Sequence, residues 1–245
     1  MWNRISGVLV VLVLAAVVAL AALTTIHVSQ AEPPMRGAGY RPPAAEPPKP
    51  VSLWIGDSYT AGTGAVNGDQ GEACLTAYRM GWICNLDAEG GTGFVNDGHI
   101  NQKTYRPAIG RLGPDRREFL TPDVVVIDMG RNDGWNDAVD AAMRRYVARV
   151  REVWPDAELV MIVPYYMRSD QEPYGGAVAA AMRRLMAQYH GHVIDPFHSG
   201  WIGHMDDRYV WTDRVHPNPA GHEYIAEHLA ADLRRLGVGK AVARS

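Results

Sequence analysis

The segment Val124-Val-Val-Ile-Asp-Met129 is a run of mainly β-branched residues near the middle of a 245-residue chain. Such a run predicts a central β-strand that is covered on both faces. Four further runs predict strands, and helical patterns alternate with them, as in βαβ units that build a mainly parallel sheet. These four strands are predicted over residues 51–55, 82–86, 159–163 and 192–195, and the second of them is the weakest.

Three surface helices are predicted between and after these strands. Apolar residues recur at helical spacing over residues 139–154, 178–189 and 219–236, and Pro155 ends the first of these patterns. The Met and aromatic side chains on these stripes are expected to lie in the core. The sequence therefore predicts one α/β domain over residues 51–245, with a five-stranded sheet.

The first 31 residues predict a targeting segment. Arg4 is the only charged residue before an apolar run from Val8 to Leu23. Residues 5–26 approach the length of a membrane anchor, and a signal peptide cleaved after Ala31 fits equally well. In either case the single arginine on the N-terminal side places the rest of the chain outside the cytoplasm.

Prolines and cysteines agree with an exported domain. Residues 32–50 are rich in proline, which predicts an extended linker ahead of the domain. Cys74 and Cys84 are the two cysteines of the chain, and in an oxidising compartment we expect them to form a disulfide. One pair cannot make a zinc site from cysteines alone.

Charge and histidine spacing exclude other classes of function. The formal net charge is −3 and the basic residues are scattered or paired with acids, so no nucleic-acid binding is expected. The chain has no His-Glu-x-x-His helix, and four loop residues are the best alternative for a metal site. These are His198, His204, Asp206 and Asp207, and we expect neither a metal nor another cofactor.

Polar and glycine-rich segments follow three of the predicted strands. They are Gly56-Asp57-Ser58-Tyr59, Gly90-Gly91-Thr92-Gly93 and Gly130-Arg131-Asn132-Asp133. The carboxyl ends of parallel strands meet at one edge of a sheet, so these segments are expected to lie together. A fourth segment, Asp213-Arg-Val-His216, precedes the last helix.

These residue types suit nucleophilic catalysis at Ser58. A serine hydroxyl needs a base to take its proton, and His216 oriented by Asp213 fits that need. Asp195, at the end of the last predicted strand, is an alternative partner for the histidine. A glycine amide and an asparagine side chain, here Gly93 and Asn132, fit as donors to a developing oxyanion.

Together the four segments resemble the blocks of the SGNH hydrolases, or GDSL-type esterases and lipases, over residues 51–236. The resemblance implies a flavodoxin-like three-layer α/β/α fold. It also implies a triad of Ser58, His216 and Asp213, with Ser58, Gly93 and Asn132 as the oxyanion hole. Gly90 or Gly91 could match the block glycine instead of Gly93. Tyr59 stands where many members have leucine, and the Gly-x-Ser-x-Gly elbow of α/β-hydrolases is absent.

The resemblance implies a serine esterase acting on a lipid, glycan or small acyl ester, and the N-terminal segment predicts that this esterase works outside the cytoplasm. An O-acyltransferase that moves the acyl group to or from a cell-envelope sugar is the main alternative, and a catalytically silent lipid- or carbohydrate-binding domain is another. Specificity is expected from loops such as residues 96–117 and 169–176. Four aromatic residues are candidates for stacking on a sugar, namely Tyr165, Tyr166, Trp201 and Trp211. The sequence leaves the oligomeric state open.

Overall fold

The computed structural model describes residues 48–98, 106–118, 121–168, 173–202 and 207–239. All five predicted strands are present in this part of the chain. They are β1 (Val51–Gly56), β2 (Ile83–Ala88), β3 (Val124–Asp128), β4 (Glu158–Ile162) and β5 (His192–Ile194).

The strands form a parallel sheet in the order β2-β1-β3-β4-β5. All five residues of β3 are buried, as expected for a central strand with both faces covered. The strand β2 lies on one side of β1, whereas β3, β4 and β5 follow on the other side. The order of the strands therefore reverses between β1 and β3, and ligands of open α/β sheets bind at such a switch point. The segments after these two strands contain Ser58 and Asn132.

Five α-helices accompany the sheet in the part of the chain that the structure describes. Three follow the predicted patterns, and two were not predicted. They are α1 (Glu72–Met80), α2 (Ala108–Glu118), α3 (Asp137–Val153), α4 (Ala177–Gln188) and α5 (Pro219–Leu236), of which α1 and α2 are the unpredicted ones. Short 3₁₀ turns lie at Gly68–Gln70 and Asp207–Tyr209. Residues Pro173–Gly176 form a turn in which Tyr174 and Gly175 have positive φ values of 54° and 60°.

Alternate residues of the strands point to opposite faces of the sheet, and each face packs against its own helices in a separate hydrophobic core. One core packs α2, α3 and α4 against the sheet side chains of Leu53, Ile55, Val125, Ile127, Leu159 and Met161. The other packs α1 and α5 against Trp54, Val124, Val126, Val160, Ile162 and Ile194. The period of two along each strand therefore builds the predicted three-layer α/β/α architecture.

Local signals fix where the last helix begins and ends. The Asn218 side chain accepts a hydrogen bond from the Gly221 amide at 2.9 Å, and Pro219 occupies the first turn. Gly237 ends the helix in the left-handed conformation, with φ of 75°. The helix α5 therefore begins directly after the loop that carries His216.

The predicted disulfide is confirmed. Cys74 of α1 and Cys84 of β2 are bonded, with their Cα atoms 5.3 Å apart. Cys74 is buried in the structure. The bridge therefore ties a helix of one outer layer to the edge strand of the sheet.

The predicted targeting segment, the membrane anchor over residues 5–26 and residues 32–47 of the linker lie outside the described residues. Among the helices of the described part, none is both long enough and apolar enough to span a membrane.

Candidate active site

Ser58 lies in the tight turn that follows β1. Gly56 has no room for a side chain, because an added Cβ would lie 1.8 Å from Thr60 Oγ1 and 2.8 Å from the Asp128 carbonyl oxygen. The turn is closed by the Thr63 amide, which donates to the Ser58 carbonyl at 2.9 Å. The close approach of β1 and β3 thus sets the position of the serine.

The loop that carries His216 is ordered by its own hydrogen bonds. Asp213 Oδ1 accepts from the amides of Val215 and His216 at 2.9 and 3.0 Å. The Trp211 amide donates to the His216 carbonyl at 2.8 Å, and Arg214 takes a positive φ of 64° at the turn. The aspartate and the histidine are therefore held on one short, closed loop.

Ser58, His216 and Asp213 form a continuous chain of hydrogen bonds. Asp213 Oδ2 lies 2.6 Å from His216 Nδ1, and His216 Nε2 lies 2.8 Å from Ser58 Oγ. A carboxylate only accepts hydrogen bonds, so Nδ1 donates to Asp213, and this tautomer of the ring leaves Nε2 facing Ser58 as an acceptor. The structure thus brings together the three residues expected from the sequence.

The Asp213 carboxyl is kept ionised by its neighbours. Partial burial acts to raise its pKa, but the hydrogen bonds from the His216 ring and from the His216 and Val215 amides outweigh burial. The pKa of Asp213 is therefore lowered below its usual value. An ionised carboxylate at this position can stabilise an imidazolium.

Asn132 follows β3 and faces the same cavity as Ser58. Its Nδ2 donates to the Thr92 carbonyl at 3.0 Å and lies 3.4 Å from Asp57 Oδ2. The first contact fixes the amide, whereas the second is at the long end of hydrogen-bond distances. The planar amide fixes the direction of its second hydrogen as well, and this hydrogen makes only the long contact to Asp57, so a bound oxyanion can take it without loss of a strong bond.

The amide of Gly93, the glycine expected to donate to the oxyanion, has an acceptor elsewhere in the structure. This amide donates to the Asn96 carbonyl at 3.0 Å, so that the hydrogen needed for an oxyanion is already bonded. An added Cβ at Gly93 would lie 2.3 Å from the Asp133 carboxylate. This glycine therefore admits Asp133 to the loop, whereas Gly90 and Gly91 line the cavity beside Ser58.

A buried group of charges lies beneath the serine turn. The Arg131 guanidinium is 3.4 Å from Asp57 Oδ2 and 2.7 Å from Asp128 Oδ1, and all three side chains are almost fully buried. Burial raises the pKa of Asp57, and it raises that of Asp128 to about 7, against the opposing effect of Arg131. Partnered in this way, the charges hold β1 to the loop after β3.

No role was expected for Arg131 or Asp133, although both are adjacent to Asn132. The Asp133 carboxylate accepts from the amides of Phe94, Val95 and Asn96 at 2.6, 3.1 and 3.0 Å. The available signal was a charged residue directly after a buried strand, where burial demands a partner.

The cavity at this edge of the sheet has a volume of about 290 Å³ and is partly open to solvent. An added Cβ at Gly90 would lie 3.7 Å from Ser58 Cβ, so the glycine loop is a wall next to the hydroxyl. The lining combines the triad face with small and aromatic residues. These are Ser58, Tyr59, Thr63, Gly90, Gly91, Arg131, Asn132, Tyr166, Val215 and His216.

Asp195 is not the partner of His216. Its Oδ2 accepts from the Arg183 guanidinium at 2.8 and 2.9 Å, and its Oδ1 accepts from the Phe197 and His198 amides. These bonds occupy the carboxylate at the end of β5.

The four candidate sugar-stacking residues divide by exposure. Tyr165 and Trp201 are 0% and 5% exposed and belong to the core, so they are not available to a sugar. Tyr166 and Trp211 are 38% and 42% exposed. Of these two, Tyr166 lines the cavity.

Two of the four residues considered for a metal site, His204 and Asp206, lie outside the described part of the chain. Within residues that the structure describes, no three His, Cys, Asp or Glu side chains are grouped so as to hold a metal ion.

Comparison with known proteins finds a family that matches most of the domain. Residues 54–224 match the GDSL-like Lipase/Acylhydrolase family. The chain is 29% identical over 202 residues to the GDSL lipase Rv0518 of Mycobacterium tuberculosis (strain ATCC 25618 / H37Rv), an alignment that covers 74% of this chain and 80% of that protein.

Solved structures share the fold. A carbohydrate esterase family 2 enzyme of Corynascus thermopiles (Myceliophthora fergusii) aligns with a TM-score of 0.59 and 24% identity, over 80% of this chain and 69% of that one. The carbohydrate acetylesterase Est24 of Sinorhizobium meliloti aligns with a TM-score of 0.57 and 15% identity, over 77% and 100%. With the family match over most of the domain, the chain belongs to the GDSL-like lipase/acylhydrolase family of serine ester hydrolases.

Proposed function

We propose that this protein hydrolyses short-chain acyl esters of carbohydrates outside the cytoplasm, with Ser58 as nucleophile, His216 as base and Asp213 as its partner. The observation that carries the proposal is the unbroken contact from Asp213 Oδ2 through the His216 ring to Ser58 Oγ, at 2.6 and 2.8 Å. A site with both contacts at hydrogen-bond distance is arranged for general-base catalysis.

In the first half of the reaction, Ser58 Oγ attacks the carbonyl carbon of the ester while His216 Nε2 takes the hydroxyl proton. The tetrahedral intermediate collapses as the imidazolium returns that proton to the leaving alcohol oxygen, and the acyl group stays on Ser58. Water then attacks the acyl-enzyme, with His216 again as base. The acid is released and the serine regains its proton.

Three hydrogen-bond donors form the oxyanion hole in this proposal. The amides of Ser58, Gly90 and Gly91 donate to no acceptor among the residues that the structure describes, and all three residues line the cavity. Asn132 Nδ2 adds a side-chain donor. We assign the hole to Ser58, Asn132 and one of the two glycines, Gly90 or Gly91, because the Gly93 amide is already bonded to Asn96.

The size of the cavity supports a short acyl group. About 290 Å³ is at the lower end of the volumes of small-molecule sites, and Tyr166 and Val215 further limit the space around the serine. The exposed rings of Tyr166 and Trp211 offer apolar faces for a sugar on the alcohol side. Carbohydrate esterases among the structural neighbours, one of them active on acetylated mannans, favour the same substrate class.

The location rests on two features. The apolar run over residues 8–23 follows a single arginine, which favours export of the domain. The Cys74–Cys84 disulfide is typical of proteins that work in an oxidising compartment.

The proposed function is tested by turnover of p-nitrophenyl acetate, butyrate and octanoate and of an acetylated polysaccharide. We expect kcat/KM to fall as the acyl chain lengthens, and Ser58→Ala to abolish turnover of all four. Ser199→Ala is the matched control, because Ser199 donates to Asp232 away from the cavity. A preference for octanoate would contradict the short acyl group.

Adding free sugars to the p-nitrophenyl acetate assay separates hydrolysis from transfer. Under the proposal, acetate is the product with or without the sugar. Acetylated sugar, formed at a rate that rises with sugar concentration, would instead identify an acyltransferase.

A further inference from the structure

The two halves of the proposed triad come from opposite ends of the domain. Ser58 follows the first strand and His216 precedes the last helix, 158 residues apart in sequence. The hydrogen bonds of Asp213 order the histidine loop internally but do not fix its distance from the serine turn. Some other contact must hold the loop at that distance.

Tyr59 makes such a contact. Its hydroxyl donates to the Val215 carbonyl at 2.6 Å, and this carbonyl belongs to the peptide bond directly before His216. Apart from the Ser58–His216 pair itself, it is the one side-chain hydrogen bond between residues 56–65 and 210–217 within the described structure. The residue after the nucleophile is thus bonded to the residue before the base.

Packing contacts hold the Tyr59 ring in place independently of this hydrogen bond. The residue is 1% exposed, packs edge-on against Tyr165 with centroids 5.7 Å apart, and has the Arg131 guanidinium 4.4 Å from its centroid. The Met167 amide donates to the same hydroxyl at 3.3 Å. Burial raises the pKa of the phenol, so the hydroxyl keeps the proton that it donates to Val215.

We propose that Tyr59 is a positioning residue that sets the distance and orientation of His216 relative to Ser58 through the Val215 carbonyl. The inference rests on the proposed function, since it concerns the same triad. A leucine, which many members of the family have after the serine, cannot make this bond. The chain therefore uses a side chain next to its nucleophile to hold the base.

Tyr59→Phe in the full chain tests the inference, because it removes the hydroxyl and keeps the buried ring. Loss of one neutral hydrogen bond in the positioning of a base should lower kcat/KM for ethyl acetate roughly 3- to 10-fold. The loss should be smaller for p-nitrophenyl acetate, because p-nitrophenolate leaves without a proton from His216, whereas ethoxide needs one. A purely structural role would affect both esters alike.

Tyr224→Phe is the matched control. Tyr224 also donates to a backbone carbonyl, that of Trp201 at 2.8 Å, but it does not line the cavity. We expect this variant to keep the kcat/KM of the unmodified chain for both esters. Tyr59→Leu is a second test, and it should show at least the loss of Tyr59→Phe with the same dependence on leaving group.

Three results would overturn the inference: unchanged kcat/KM in both Tyr59 variants, an equal loss for both esters, or failure of both variants to fold, which would assign Tyr59 a structural role. These results are separate from failure of the proposed function. That failure would be seen as turnover by Ser58→Ala, whatever the Tyr59 variants do.

Discussion

Removal of the disulfide should lower the stability of the domain by a calculable amount. Cys74 and Cys84 are 10 residues apart, and the entropy of closing a loop of that length corresponds to about 2.7 kcal/mol at 25 °C. In a domain of this size 1 kcal/mol shifts Tm by about 2–4 °C. The double variant Cys74→Ala/Cys84→Ala should therefore melt roughly 5–10 °C below the unmodified chain.

Thermal melting followed by far-UV circular dichroism measures this shift. The unmodified chain in reducing agent is the control and should melt near the double variant, because both lack the same covalent link. Neither cysteine lines the cavity, so kcat at 25 °C should stay unchanged. A double variant that melts with the oxidised chain would refute the reasoning, since loop closure would then contribute nothing.

Three further predictions concern the site and its support. Asp213→Asn should lower kcat roughly 10²- to 10⁴-fold in steady-state assays, because the His216 ring loses the acceptor that orients its Nδ1 proton. Asn132→Ala should lower kcat about 10²- to 10³-fold with little change in KM, because in the proposed mechanism its amide donates to the oxyanion of the transition state. Burial and the neighbouring Asp87 raise the pKa of Asp115 to about 8 in the folded chain, against about 4 in the unfolded chain. The folded state therefore gains stability from the proton on Asp115. This gain is complete below about pH 4 and is lost as the pH rises through about 8. Asp115→Asn keeps a donor toward Asp87 without titrating, and should flatten the fall of Tm between those pH values.

Each of these predictions has a result that would contradict it. Unchanged kcat in Asp213→Asn would mean that His216 does not depend on this carboxylate. An Asn132→Ala variant with raised KM and unchanged kcat would show that the amide binds substrate and transition state equally. A profile of Tm against pH that is identical in Asp115→Asn would show that Asp115 does not hold a proton in the folded chain.

The strands and three of the helices could be predicted because their sequence patterns are strong. The β-branched residues of β3 are all buried, and the apolar stripes of α3, α4 and α5 face the sheet. Register and layer then follow from the period of the side chains. Local pattern and tertiary packing agree in these elements.

The helices α1 and α2 could not be predicted because tertiary contacts stabilise them more than their own sequences do. The nine residues of α1 begin after Gly71, which offers no side-chain cap. The helix α2 contains Pro114 and two glycines, all unfavourable to helices. It is held by the buried Arg111, which donates to Asp87 at 2.9 Å and to the Gly56 carbonyl at 3.2 Å.

The site could be predicted as far as motif spacing determines it. Ser58, Asp213, His216 and Asn132 were expected from the sequence blocks; in the structure Ser58, His216 and Asn132 line one cavity, and Asp213 contacts the His216 ring. Spacing does not tell which glycine amide lacks an acceptor. Gly93 was expected to donate to the oxyanion, but its amide donates to the Asn96 carbonyl instead. Likewise the contact of Tyr59 spans 156 residues, a distance at which sequence gives no local signal.

Ser58 is proposed to be a nucleophile that His216 activates. Labelling of the full chain with a fluorophosphonate, followed by peptide mass spectrometry, tests this role. We expect one adduct, on the peptide that contains Ser58, and slower labelling in His216→Ala, because the base that activates the hydroxyl is gone. Labelling of another residue, or equal labelling of the Ser58→Ala chain, would contradict this role.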